Sequence, residues 1–180
     1  MRRLFWLVPV AAVAGAAAWL LLATPTTVEK LRYPLRYKAI VRGHARNYDL
    51  NPALLAAVIE TESKFRADAE SPSGAIGLMQ ILPSTAHGIA VHTGGSSFRT
   101  EDLYNPEINV RYGAWYLRHL LDKYDDERTA LAAYNAGQHN VDRWLARGSG
   151  IRYAETRAYV ARVEKLKGIY SDVWGHQLAL

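Results

Sequence analysis

Two glutamates two positions apart, Glu60 and Glu62 in the stretch AVIETESKF (Ala57 to Phe65), are residues whose type and placement could do acid–base work. Asn51-Pro52 supplies an N-cap and a proline at the first helical position, so a helix is expected from there to about Phe65. Each helical residue turns by about 100°. Leu54, Leu55, Val58, Ile59 and Phe65 then form one apolar stripe with Glu62 near its centre, and Glu60 points almost the opposite way. Glu60 lies four residues before Lys64 and reads as a solvated ion-pair residue. For Glu62, a carboxylate on an apolar face is costly unless it is paired or keeps its proton. A carboxyl still protonated near neutral pH is what a general acid needs. A buried ion pair to an arginine fits the same pattern equally well.

Few other groups compete for a chemical role. Asp68 and Glu70 follow in a loop and read as solvated charges, although either could be the base of a hydrolase. The six histidines show no HExxH or comparable spacing, so no metal site is expected. Walker, GxGxxG and GxSxG patterns are missing, which removes nucleotide-dependent and serine-hydrolase chemistry, and no cofactor is expected. Without cysteine there is no disulfide, thiolate ligand or lipid-attachment thiol.

The elements that must hold Glu62 are expected to be helical throughout. From Leu35 the pattern is helical, with Leu35, Ile40, Val41, Ala45 and Tyr48 on one side. Residues 67–75 read as loop, AIGLMQIL as a short buried helical turn ended by Pro83, and residues 88–99 as a second loop. Asn105-Pro106 opens a helix to about Tyr124; Glu127 to Ala136, Gln138 to Ala146 and Glu155 to about Leu166 follow. No strand or internal repeat is expected, so the fold class is all-α.

The 180 residues suffice for one buried domain, and the composition, 49% hydrophobic and 11% aromatic, is that of a folded protein. Arg2 and Arg3 precede an uncharged apolar run from Leu4 to Ala23, about 30 Å as a helix, enough to cross a bilayer. Residues 1–23 therefore read as a transmembrane anchor, or else a cleaved signal sequence, with the remainder outside the cytoplasm. Residues 24–32 read as a short tether that would keep the domain, 33–175, close to the membrane. The net charge of +5 suits an acidic neighbour, but the cations are scattered with no basic arm, so no nucleic-acid partner is expected.

The ordered set Glu62-Ser63, Gly77-Leu78-Met79-Gln80 and Ala133-Tyr134-Asn135 resembles the catalytic domain of the soluble lytic transglycosylase (SLT) family. Ser71 to Ala86 (SPSGAIGLMQILPSTA), Asn105 to Leu121 and Glu155 to Val163 match its pattern further, and the resemblance runs from about Tyr33 to Tyr170. It implies a lysozyme-like, goose-type fold whose groove binds peptidoglycan, the β-1,4 bond between N-acetylmuramic acid and N-acetylglucosamine being cleaved by attack of the muramoyl 6-hydroxyl on its own anomeric carbon. It also implies Glu62 as the single acid and then base, and Ser63 supporting substrate or carboxyl orientation. Gly77 would allow close backbone approach, Met79 and Gln80 line the groove, Tyr134 and Asn135 hydrogen-bond near the carboxyl and sugar, and Glu155 lines the cleft. Against the family pattern there is neither a lipid-anchor cysteine nor a large upstream helical domain. Expected partners are glycan strands, the membrane and envelope-assembly proteins. The competing expectations are a water-using goose-type muramidase and a glycan-binding envelope module without turnover.

Overall fold

Helices make up nearly all the regular structure of the computed structural model, which describes residues 25–93, 95 and 97–180. The chain divides at Pro34 and Leu35 into two units. In the first, Pro25–Arg32 forms α1, with Lys30 and Arg32 in the last turn, where cations suit the negative end of the helix dipole. The segment expected to be a tether is thus helical. The expected anchor, residues 1–23, lies outside the described residues, among which no helix is long and apolar enough to cross a membrane.

The second unit holds α2 (Lys38–Asn47), α3 (Pro52–Ser63), α4 (Pro83–Thr93), a 3-10 turn (Thr100–Tyr104), α5 (Pro106–Tyr124), α6 (Glu127–Ala136), α7 (Gln138–Ala146) and α8 (Ala154–Leu178). The capping signals act as expected. Asn51 accepts from the backbone N–H of Ala53 at 2.8 Å and Leu54 at 3.2 Å, and Asn105 accepts from Glu107 at 2.9 Å and Ile108 at 3.4 Å. Asp126 caps α6 through the N–H of Thr129 at 2.9 Å.

Three expectations are corrected. Residues 75–82 are not a helical turn. Ile76 and Ile81 exchange two backbone hydrogen bonds of 3.0 Å and close a tight loop over Gly77–Gln80. Gly77 at φ 82° and Gln80 at φ 49° lie in the left-handed region, which a right-handed helix cannot use. Pro83 ends no helix but begins α4, which runs to Thr93 through the expected loop; Gly88 sits on its exposed face and costs only propensity. The last helix passes Leu166 and buries Tyr170, Val173 and Leu178 as well.

That extension changes α3. Residues Ala53 to Glu60 are all buried, because α8 packs along the helix in addition to the core its apolar stripe faces. Glu60 is therefore not solvated. It is 7% exposed, hydrogen-bonded with Tyr170 and within the fields of Arg162, Lys64 and Arg36. Burial pushes its carboxyl above the usual range, and the three cations hold it back.

Candidate active site

Glu62 occupies the last turn of α3 and Ser63 ends it. The chain then turns through Lys64 at φ 53° and Phe65 at φ 58°. Two successive side-chain-bearing residues in the left-handed region are costly, and the 1% exposure of Phe65 shows what holds them there. The turn directs the following loop back across the helix end.

Glu62 is half-buried, and its Oε1 accepts a 2.8 Å hydrogen bond from the Tyr159 hydroxyl of α8. Burial raises the carboxyl pKa to about 7, while the Tyr159 bond, which favours the charged form, pulls it down. No arginine or lysine appears among the causes of that shift, so the ion-pair reading of Glu62 has no support. Burial and the nearby Glu62 charge push the hydroxyl pKa values of Tyr134 and Tyr159 well above the usual tyrosine range. Both stay donors at neutral pH.

The Gly77–Gln80 loop is tied to the end of α3 by Ser63 and held by a framework supplied by Asn109 of α5. Asn109 is fully buried; its amide donates to the carbonyls of Ile76 at 2.8 Å and Leu103 at 2.9 Å, and its Oδ1 accepts from the N–H of Met79 at 2.8 Å. One side chain thereby ties three backbone groups together, of which the Ile76 carbonyl also accepts from the Ile81 N–H. The close approach expected at Gly77 is to this side chain: a Cβ there would collide with Asn109 and come within 2.5 Å of the Leu103 carbonyl. The sequence pattern by itself gives Asn109 no role. Its signal was a polar side chain between Ile108 and Val110 on a helix that otherwise turns apolar groups inward.

The remaining expected site residues divide into those near the carboxyl and those supporting it. Tyr134 donates to the Met79 carbonyl at 2.9 Å, locking α6 to the loop. Met79 does not line the groove: its side chain is fully buried against Gly113, where a Cβ would lie 2.8 Å from the Met79 Cβ. Gln80 is half-buried, and its amide nitrogen donates to the Gly77 carbonyl at 3.0 Å and the Ala69 carbonyl at 3.1 Å, leaving its oxygen as the end open to a ligand. Ser63 is 3% exposed and donates to the Leu78 carbonyl at 2.8 Å, so it ties the helix end to the loop and does not face substrate. Asn135 is exposed, with its Oδ1 fixed by the Thr156 hydroxyl at 2.8 Å so that its NH₂ end is presented outward. Glu155 is exposed in the first turn of α8, beside that threonine. Asp68 and Glu70 are exposed, and Glu70 accepts from the Tyr104 hydroxyl at 3.0 Å.

Among the described residues no group of three or more acidic or histidine side chains is placed to hold a metal. The chemistry open to the site is that of one carboxyl carrying a proton near neutral pH, beside two tyrosine donors and a rigid loop of backbone polar groups.

Residues 39–155 match the family model of the transglycosylase SLT domain. A soluble lytic murein transglycosylase of Salmonella typhimurium is 32% identical over 161 residues, 83% of this chain and 25% of that protein. A lytic transglycosylase structure from Pseudomonas aeruginosa superposes with a TM-score of 0.75 at 32% identity, covering 81% of this chain and 25% of that one. The 70 kDa soluble lytic transglycosylase of Escherichia coli gives 0.76 at 28% identity, over 83% and 26%. The chain thus spans about a quarter of the length of these relatives.

Proposed function

The chain belongs to the transglycosylase SLT domain family, and we propose that it is a peptidoglycan lytic transglycosylase that cleaves the β-1,4 MurNAc–GlcNAc bond without water. Glu62 carries the reading: a carboxyl with its pKa raised to about 7 holds a proton at neutral pH and is not committed to a cation. In the first step Glu62 donates that proton to the glycosidic oxygen, and the C–O bond breaks as positive charge develops at the anomeric carbon. In the second, the Glu62 carboxylate takes the proton of the muramoyl 6-hydroxyl, whose oxygen closes on the anomeric carbon to give the 1,6-anhydro ring. The carboxyl ends as it began. Tyr159 supports the intervening charged form through its 2.8 Å hydrogen bond. A hydrolase would need a second carboxylate for water; the nearby acids Asp68 and Glu70 are both exposed, and Glu70 is engaged by Tyr104. Gln80, Tyr134, Asn135 and Glu155 are the residues around the glycan, with Ser63, Gly77 and Met79 as the loop framework. Residues 33–175 would form the catalytic domain, held at the cell envelope by residues 1–23 as anchor or delivered there by their cleavage.

Mass spectrometry of muropeptides released from purified peptidoglycan tests this. Wild type should yield anhydro ends; Glu62→Gln should lower their release by at least about 100-fold, the usual loss for a missing general acid. Glu70→Gln should leave it intact. Reducing ends from the wild type would make the protein a muramidase, and products independent of Glu62 would overturn the assignment.

A further inference from the structure

The cations are spread along the chain, but their excess over acids is not. Residues 25–46 hold Lys30, Arg32, Arg36, Lys38, Arg42 and Arg46 against the single acid Glu29, a net +5. That is the whole formal charge of the chain; the other 16 cations and 16 acids cancel. The segment begins two residues after the uncharged apolar run Leu4 to Ala23, so at most about 8 Å of chain separates the two.

In the second unit, α2 arranges these charges. It turns Val41, His44 and Ala45 to the core, and Lys38, Arg42 and Arg46, spaced by four, form a row along its flank. Lys38 and Arg46 are exposed, Arg42 is half-buried, and Arg36 is exposed just before the helix. Among the described residues Arg118, Lys123, Arg128 and Lys167 each hold a carboxylate, whereas none of Arg32, Arg36, Lys38, Arg42 and Arg46 does. Like charges four apart on a helix repel, so a row kept without acids gains from a counter-charge outside the protein. In the first unit, α1 adds a different feature. Val28 and Leu31, three apart and so on one face, are 47% and 65% exposed, and Arg32 is exposed in the last turn. Exposed apolar groups beside cations suit the boundary between lipid headgroups and acyl chains, whereas a soluble polyanion would use the charges alone.

We propose that residues 25–46 dock the protein on an anionic phospholipid surface, with the α2 row of cations facing the headgroups. Each lysine or arginine held at such a surface is worth about five-fold in binding, and the attraction fades within a Debye length, about 10 Å at 0.1 M salt. The proposal is independent of the glycan-cleaving reading above.

The test uses the full chain. It has no cysteine, so Gly43→Cys gives one labelling site on α2, at an exposed glycine with open space where the Cβ would stand. The chain with a fluorescent donor there is mixed with vesicles of phosphatidylcholine, alone or with about one third phosphatidylglycerol, whose headgroups carry an acceptor. Flotation reports binding, and energy transfer reports whether α2 lies at the surface. Transfer should be at least about two-fold higher with phosphatidylglycerol. It should fall to the phosphatidylcholine level at about 1 M salt, where the Debye length is about 3 Å. Lys38→Glu combined with Arg46→Glu should lower it in the same way at an unchanged melting temperature, and Lys38→Arg combined with Arg46→Lys should keep it. Flotation with the phosphatidylglycerol vesicles alone, abolished by the two glutamates, also supports docking. Equal transfer in the two lipids overturns it, whether the chain floats with both or with neither; the row then serves another polyanion or none. A chain that docks yet releases no anhydro product from purified peptidoglycan counts against the catalytic reading alone.

Discussion

In the proposed mechanism one carboxyl carries the chemistry, so its proton sets the response to pH. As the proposed acid Glu62 must be protonated to act, and burial raises its pKa to about 7. The rate should hold below that value and fall as pH rises through it. A single descending limb is expected in kcat/KM, because the base of the second step is the same group after it has given up its proton. Tyr159→Phe removes a hydrogen bond that favours the charged form, so the limb should move to higher pH; movement to lower pH would refute the role given to Tyr159. Stability has the same sign. A pKa raised from 4.5 means that the native state keeps a proton the unfolded chain has released. That contribution is complete below 4.5 and is lost as pH rises through about 7. Glu62→Gln should leave the melting point unchanged at pH about 4 and raise stability at pH about 8 by on the order of 2 kcal/mol, allowing for its partial exposure.

Within the elements, the decisive feature is the non-local support of the Gly77–Gln80 loop. Asn109→Ala takes a buried partner from the Met79 N–H and from the Leu103 and Ile76 carbonyls, of which Ile76 keeps its bond from the Ile81 N–H. It should cost about 3 kcal/mol and most of the activity, measured by urea unfolding and by product release. A contrasting change is Asp125→Gly. Asp125 ends α5 at φ 51° and is exposed, so glycine should gain about 0.5–1 kcal/mol there with turnover unaffected. The two residues differ in how well sequence announces them. The Asn-Pro caps of α3 and α5 are local chemistry and read directly from the chain, as does the apolar setting of Glu62. The Ile76–Ile81 loop does not, because its backbone partners lie on Asn109, about thirty residues downstream. Glycine is ambiguous in both directions here: Gly88 has a loop's composition around it yet sits inside a helix, while Gly77 lies in an apolar run of helical composition yet turns a tight loop.

For the molecule as a whole, α8 explains both the placement of Glu62 and the misreading of Glu60. It supplies Tyr159 to Glu62 near its start and Tyr170 to Glu60 about three turns later. Glu60 reads as solvated because it points away from the apolar stripe and lies four residues before Lys64, and a helix ended at Leu166 stops short of the Tyr170 that bonds it. The part beyond Lys167 also covers Phe65, whose ring lies 6.2 Å from that of Tyr170. Phe65 is one of the two residues held in the left-handed region after Ser63, so this packing reaches the end of the helix that carries Glu62. Deleting residues 168–180 removes the burial of Tyr170, Val173 and Leu178, each worth about 1.5–3 kcal/mol, and strips Glu60 of a partner. The total approaches the whole stability of an ordinary domain, about 5–15 kcal/mol. The truncated chain should lack a cooperative thermal transition and near-ultraviolet circular dichroism. Tyr170→Phe keeps the ring and removes only the hydroxyl. It should fold, lose about 1 kcal/mol, and become more sensitive to rising pH, because the bond it removes stabilises the charged form of Glu60. A truncated chain that melts cooperatively within a few degrees of the full one would show that the core closes without the end of α8.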